Sequence, residues 1–185
     1  MSECKNIFAI LNELKEYTQK MNEDELKKVE ELIVNAKRIF VAGAGRSGFA
    51  ARGFANRLMH LGFTVFFVGE PTTPSIQLGD LLIIGSGSGN TASLVSNAER
   101  AKAQNAKVVT LTMFPENKIG SLADAYIKIP GESEKVKGKG TVSVQASGSS
   151  FEELSWITYD AMVMDLMKYT NQNSEDLFVR HANME

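Results

Sequence analysis

Five short apolar runs separated by helix-forming stretches leave this chain few architectures to choose from. Ile39-Phe40-Val41-Ala42, Phe63-Thr64-Val65-Phe66-Phe67-Val68, Leu81-Leu82-Ile83-Ile84, Lys107-Val108-Val109-Thr110-Leu111-Thr112 and Ala125-Tyr126-Ile127-Lys128-Ile129 read as strands. A helix running to about Leu61 follows the first, one from Thr91 to about Gln104 follows the third, and a brief helical turn over Ile119–Ala123 follows the fourth. Runs that are apolar throughout, rather than at alternate positions, belong to strands covered on both faces, which is the condition of a parallel sheet. Right-handed crossovers then wind the chain into a three-layer αβα sandwich, a doubly wound α/β fold on a five-stranded parallel sheet.

Two amphipathic helices precede this unit. From about Asn6 to Tyr17, Ile7, Ile10, Leu11 and Leu14 recur at helical spacing, and Leu26, Val29, Leu32 and Ile33 form the apolar side of a second helix. Asn22 is expected to cap that second helix, with Glu25 completing a capping box. This N-terminal extension, residues 1–36, packs on the domain or against another subunit. Gly131–Ser149, rich in Gly, Ser and Lys, reads as a long exposed loop. A largely apolar helix from Phe151 to about Tyr169 and a short one from Ser174 to Val179 complete a single domain over residues 1–185.

Charge and composition narrow the partners. A formal net charge of −2 with acids and bases interspersed gives no basic surface for nucleic acid or an anionic membrane. The one cysteine, Cys4, rules out an internal disulfide and a thiolate metal cage, and two histidines argue against a structural zinc site. The start of the chain lacks a signal-peptide pattern and no apolar run reaches membrane-span length, so a cytoplasmic protein without metal or cofactor is expected.

Ligands of open parallel sheets bind beyond the carboxyl ends of the strands. Two strand-to-helix turns there are built of small polar residues, Gly43-Ala44-Gly45-Arg46-Ser47-Gly48 and Gly85-Ser86-Gly87-Ser88-Gly89-Asn90-Thr91. A strand that stops at glycines and restarts as a helix aims several unpaired N–H groups at one point, where the helix dipole adds positive potential. With the hydroxyls of Ser86, Ser88 and Thr91 beside them, these donors suit a phosphate monoester. Arg46 and Ser47 enter the facing helix. Arg46 can stabilise negative charge on a substrate oxygen and Ser47 can bind substrate, or the two are a surface charge and an N-cap. No acidic residue closes the strand at Phe67-Val68 and no Gly-Lys-Ser/Thr occurs, which disfavours a nucleotide.

The two turns together resemble those of the sugar isomerase (SIS) domain family. The family's second turn usually reads Ser-x-Ser-Gly-Glu/Asp-Thr/Ser; here Asn90 stands where the acid commonly does, so a catalytic role at that position does not carry over and Asn90 is grouped with the phosphate-binding residues. Phe54-Ala55-Asn56-Arg57-Leu58-Met59-His60-Leu61-Gly62-Phe63, Ser149-Ser150-Phe151-Glu152 and Arg180-His181-Ala182-Asn183-Met184-Glu185 are similar to the 6-phospho-3-hexuloisomerase branch of that family.

The resemblance implies a cofactor-free isomerase that interconverts D-arabino-hex-3-ulose 6-phosphate and fructose 6-phosphate through a cis-enediol(ate), in the formaldehyde-fixing ribulose monophosphate route and beside 3-hexulose-6-phosphate synthase. It implies a homotetramer with shared active sites, to which the residue 170–185 tail contributes. Such chemistry needs a base near the carbon, a donor for the oxyanion and a phosphate anchor. Glu152, in the first turn of an apolar helix, is the expected base. Glu153 competes with it but is expected to close a capping box with Ser150. His181 is the expected proton shuttle, since SIS isomerases place a functional histidine after the last helix. His60 reads as a packing or interface histidine. Arabinose-5-phosphate or sedoheptulose-7-phosphate isomerisation and a non-catalytic sugar-phosphate sensor are the alternatives.

Overall fold

The computed structural model describes residues 4–131, 143–146 and 148–184. Helices α1 (Lys5–Thr18) and α2 (Glu23–Val34) lead into β1 (Ile39–Gly43), α3 (Gly45–His60), β2 (Val65–Phe67), β3 (Leu81–Gly85), α4 (Ala92–Ala103), β4 (Lys107–Thr112), α5 (Lys118–Leu122), β5 (Ala125–Lys128), α6 (Ser149–Tyr169) and α7 (Ser174–Phe178). The strands form one sheet in the order β2-β1-β3-β4-β5, with every pair parallel. This is the expected three-layer sandwich.

The period of two along each strand divides the core. Ile39, Val41, Leu81, Ile83, Val109, Leu111 and Ile127 face α2, α3 and α6, where Val29, Ile33, Phe54, Leu58, Leu154 and Met162 meet them. Phe40, Ala42, Leu82, Ile84 and Val108 face the other way, onto Leu94, Ala98 and Ala101 of α4 and Ile119 of α5. Residue-by-residue apolarity of the inner strands follows from this double cover, since both faces are out of water. Among the described residues no helix is long and apolar enough to cross a membrane.

Two local expectations differ. The strand read over residues 63–68 shortens to Val65–Phe67, because only three residues of this edge strand find partners on β1. Asn22 does cap α2, accepting from the Asp24 N–H at 3.0 Å. Its capping box does not form: Glu25 is drawn away by tertiary structure, where its Oε2 accepts the Lys128 N–H at 2.7 Å and ties α2 to the end of β5.

Glu30, also on α2, is 2% exposed, and its Oε1 has no hydrogen-bond partner among the described residues. Burial pushes its carboxyl up to about 7; Asp165 and Glu23 add to the rise, while Lys168 and Lys27 oppose it. The folded state therefore holds this proton more tightly than the unfolded chain, and stability is lost as pH climbs from the ordinary glutamate range through about 7. Glu30→Gln is expected to raise Tm by a few degrees at pH 8 and hardly at pH 5, read by thermal unfolding at both pH values. An equal shift at both would contradict the assignment.

Candidate functional site

The β1–β3 register ends on Gly43 opposite Gly85, so the two turns singled out by the sequence emerge side by side at the carboxyl edge of the sheet. The glycines at 43, 45 and 48 stand at G-x-G-x-x-G spacing, and the structure shows what two of them serve. A Cβ on Gly43 would lie 2.8 Å from Gly48 Cα, and one on Gly48 would lie 2.8 Å from the Gly43 oxygen. The strand end and the first turn of α3 thus pack backbone against backbone. Ala44 takes the N-cap position, so Ser47 is a residue of the first helical turn rather than the cap.

The second turn is propped from β4 and the loop beyond it. Thr112 Oγ1 donates to the Gly87 oxygen at 3.3 Å, and Asn117 Nδ2 donates to the Ser88 oxygen at 2.8 Å. Gly89, at φ +61°, has Asn117 and Thr112 so close that a side chain would be both strained and crowded. Neither Thr112 nor Asn117 was legible beforehand as a site residue; only the pairing of β3 with β4 brings them there.

A hollow of about 170 Å³ opens between the turns, walled by Ser47, Ser86, Ser88, Thr91, Phe151 and Glu152. Thr91 sits at the N-cap position of α4 yet makes no side-chain cap. The hydroxyls of Ser47, Ser86 and Thr91 have no hydrogen-bond partner among the described residues, although Ser86 is 3% exposed. The N–H groups of Gly87, Ser88 and Thr91 are likewise without partners among the described residues. Three hydroxyls and three amide donors converging on one hollow, at the N-terminus of a 12-residue helix, form a cradle for a compact anion.

Asn90 departs from expectation. It does not wall the hollow; its Oδ1 accepts the Lys118 N–H at 3.2 Å, at the start of α5, because the turn is already held from that side. Asn90 thus caps the start of α5 from beside the hollow.

Glu152 stands where the hollow ends. Gly148, at φ +86°, takes the N-cap position of α6, so the helix starts one residue before Ser150. Ser150 is inside the helix with its hydroxyl unpartnered among the described residues, and the Ser150–Glu153 capping box does not form. Glu152 ion-pairs with Arg46 Nε across the gap to α3, and its side chain is 18% exposed. The hydrogen bond from Arg46 and the Glu152 charge together push the guanidinium pKa up. Arg46, Glu152, Glu153, Phe49 and Trp156 wall an adjoining hollow of about 290 Å³. One carboxylate thus borders both cavities. Glu153 borders only the second.

His181 lies elsewhere. Its ring stacks on His60 with centroids 5.2 Å apart and planes 15° apart, at the C-terminal end of α3. The tail is fastened there by Arg180, whose Nη1 donates to the His60 oxygen at 3.1 Å, to Gln172 Oε1 at 2.9 Å and to the Asp176 oxygen at 3.1 Å. Arg46 and His60 are separated by the length of α3, about 21 Å at helical rise. Within one chain, then, Glu152, Arg46, Ser47, Ser86, Ser88 and Thr91 are brought together, and His181 is not.

Comparisons with known proteins fit this geometry. A model of the SIS domain matches residues 32–154, which spans the sheet, both turns and Glu152. The 3-hexulose-6-phosphate isomerase of Bacillus subtilis (strain 168) is 41% identical over 185 residues, covering all of both chains. That of Mycobacterium gastri is 38% identical over 180 residues, or 97% of this chain and 90% of the relative. The crystal structure of a Methanococcus jannaschii protein, from which a 3-hexulose-6-phosphate isomerase function was inferred, superposes with a TM-score of 0.78 at 35% identity over 97% of each chain.

Proposed function

The chain belongs to the SIS domain family, and from that premise we propose that it is a phosphosugar ketol isomerase acting on D-arabino-hex-3-ulose 6-phosphate and fructose 6-phosphate. The observation that carries the reading is the place of Glu152, a single carboxylate shared between a hydroxyl-lined anion cradle and a second hollow roomy enough for a sugar chain. The close identity to two 3-hexulose-6-phosphate isomerases over nearly the whole chain supports the choice of substrate.

The phosphate occupies the cradle of Ser47, Ser86, Ser88 and Thr91, and the carbon chain runs past Glu152 towards Arg46. The Glu152 carboxylate takes the proton from C2, and the C–H electron pair moves into the C2–C3 bond as the C3 carbonyl becomes an enediolate oxygen. Arg46, already beside Glu152, offers positive charge to that oxygen. The same carboxyl returns the proton to C3, while the hydroxyl proton passes from O2 to O3 and leaves the carbonyl at C2. The carbonyl moves with no net change in oxidation state.

Proton transfer between the oxygens falls to His181 of a second copy of the chain, because within one chain the His181 ring stacks on His60 at the far end of α3 from Arg46, the ion-pair partner of Glu152. Two apolar surfaces support assembly. Ile7, Phe8 and Leu11 are exposed on α1, and Phe49, Trp156 and Ile157 are exposed on α3 and α6 next to the Arg46 hollow. Two distinct faces suit a homotetramer of paired dimers with sites at the α3–α6 face. A 3-ketose 6-phosphate substrate pairs the enzyme with 3-hexulose-6-phosphate synthase in the ribulose monophosphate route.

The direct test supplies the purified protein with hex-3-ulose 6-phosphate made by the synthase and follows fructose 6-phosphate in a coupled assay. No product above background sinks the proposal. Ser86→Ala and Ser88→Ala are each expected to raise KM with little change in kcat, since each removes one hydrogen bond to a charged group, about 1.5–3 kcal/mol. A fall in kcat alone would contradict the phosphate assignment.

A further inference from the structure

His60 is the histidine that the isomerisation has left unused. It is 3% exposed, and its imidazole makes no hydrogen bond to any described side chain or backbone group. It walls a hollow of about 450 Å³ at the C-terminal end of α3, together with Arg52, Asn56, Arg57, Asp160 and His181. A flat ring set on the wall of a hollow and bonded to none of the described residues calls for a reason in what its face meets.

The surroundings of His181 supply one. His181 lies beyond α7, outside any helix or strand, where a side chain is ordinarily mobile unless something holds it. Among the described residues the hydrogen bonding of the His181 ring is one contact of 3.4 Å from Nδ1 to the oxygen of its own neighbour, Ala182, which cannot fix the plane of the ring. Phe178 is 6.0 Å away and tilted by 30°. His60 provides the closer and flatter surface, at 5.2 Å and 15°. Arg180 fastens the neighbouring backbone to the carbonyl of the same residue, so His60 holds both the chain and the ring of the tail.

We infer that His60 is a positioning residue for the isomerisation: its buried imidazole is the platform that presents the His181 ring, in one orientation, to the active site of a second copy. Charge fits this role. Burial, the Arg57 charge and His181 itself all lower the His60 pKa, so the platform stays neutral near pH 7. The other charged groups on this hollow are Arg52, engaged with Glu70 at 2.7 Å, and Asp160 of α6; Arg180 approaches from the tail. A neutral face lets His181 gain and lose its proton without a fixed cation stacked upon it. The inference rests on His181 serving the proposed reaction.

His60→Ala and His60→Phe test it, measured beside His181→Ala. His60→Ala is expected to lower kcat by at least tenfold with KM within about twofold, and His60→Phe, which keeps a flat ring in the same space, is expected to restore most of the loss. The chain has two histidines, so in each His60 variant a single imidazole signal remains for proton NMR. That His181 signal should move towards its free-histidine position in His60→Ala and stay near the wild-type position in His60→Phe. Wild-type kcat in His60→Ala overturns the inference. So does a loss that His60→Phe fails to restore while the His181 signal is unmoved, since that outcome assigns the effect to a His60 nitrogen. Wild-type kcat in His181→Ala instead removes the shuttle from the proposed mechanism, and the platform with it.

Discussion

Glu152→Gln is expected to lower kcat by about 10²–10⁴-fold, the range over which a positioned proton-transfer group acts, while substrate still binds. The amide keeps the shape of the side chain, so the two hollows it borders should survive, but it cannot take the C2 proton. Its loss also frees Arg46, which is ion-paired to Glu152. Because Arg46 is mostly exposed, that change should move the folding free energy by less than about 1 kcal/mol, and thermal unfolding should be nearly unaltered. Steady-state kinetics with a direct binding measurement checks both halves. Glu153→Gln is the necessary comparison: it borders the Arg46 hollow and not the hydroxyl cradle, and kcat should stay within a few fold of wild type. If Glu153→Gln stops turnover and Glu152→Gln does not, the base has been misassigned and the sugar must enter from the Trp156 side.

The second large effect concerns His181→Ala. Its side chain is exposed and makes ring contacts with His60 and Phe178, so folding should change by about 0.5 kcal/mol or less. For kcat we expect a loss of the same order as for Glu152→Gln. The pair of variants also tests whether sites are shared. In a two-fold dimer, a Glu152→Gln subunit joined to a His181→Ala subunit has one site carrying both defects and one carrying neither. Co-expression at equal levels should therefore recover activity, up to about one quarter of the wild-type rate once random pairing is counted. Recovery far above the sum of the separate variants supports a histidine supplied across an interface. No recovery, in oligomers shown by mass spectrometry to contain both subunits, would falsify sharing and require the residue 180–184 tail to refold over its own sheet edge.

Much of this frame was legible without coordinates because it rests on local rules. Runs such as Leu81-Leu82-Ile83-Ile84 are apolar on both faces, and such strands exist only between two layers, so sheet type and layering followed. The two small-residue turns lay at strand ends, where parallel sheets open to ligands. Expectations weakened wherever a side chain had a choice of partners. Glu25 sat at capping-box spacing but bonded a residue 103 positions away. Asn90 matched a phosphate-binding turn yet capped a neighbouring helix. Ser150 and Glu153 had the spacing of a cap, and one left-handed glycine moved the helix start and buried the serine.

What the sequence determined by itself is the parallel sheet, its double cover and the composition of each of the two turns, all of which depend on residue type and spacing within one strand, turn or helix. Tertiary structure decided the rest. The register of β1 on β3 set the cradle's two halves against each other. The start of α6 chose Glu152 over Glu153 to border both hollows, and the length of α3 held His181 away from that carboxylate. These are distances between elements remote in sequence, fixed by how whole surfaces pack, and no single residue encodes them.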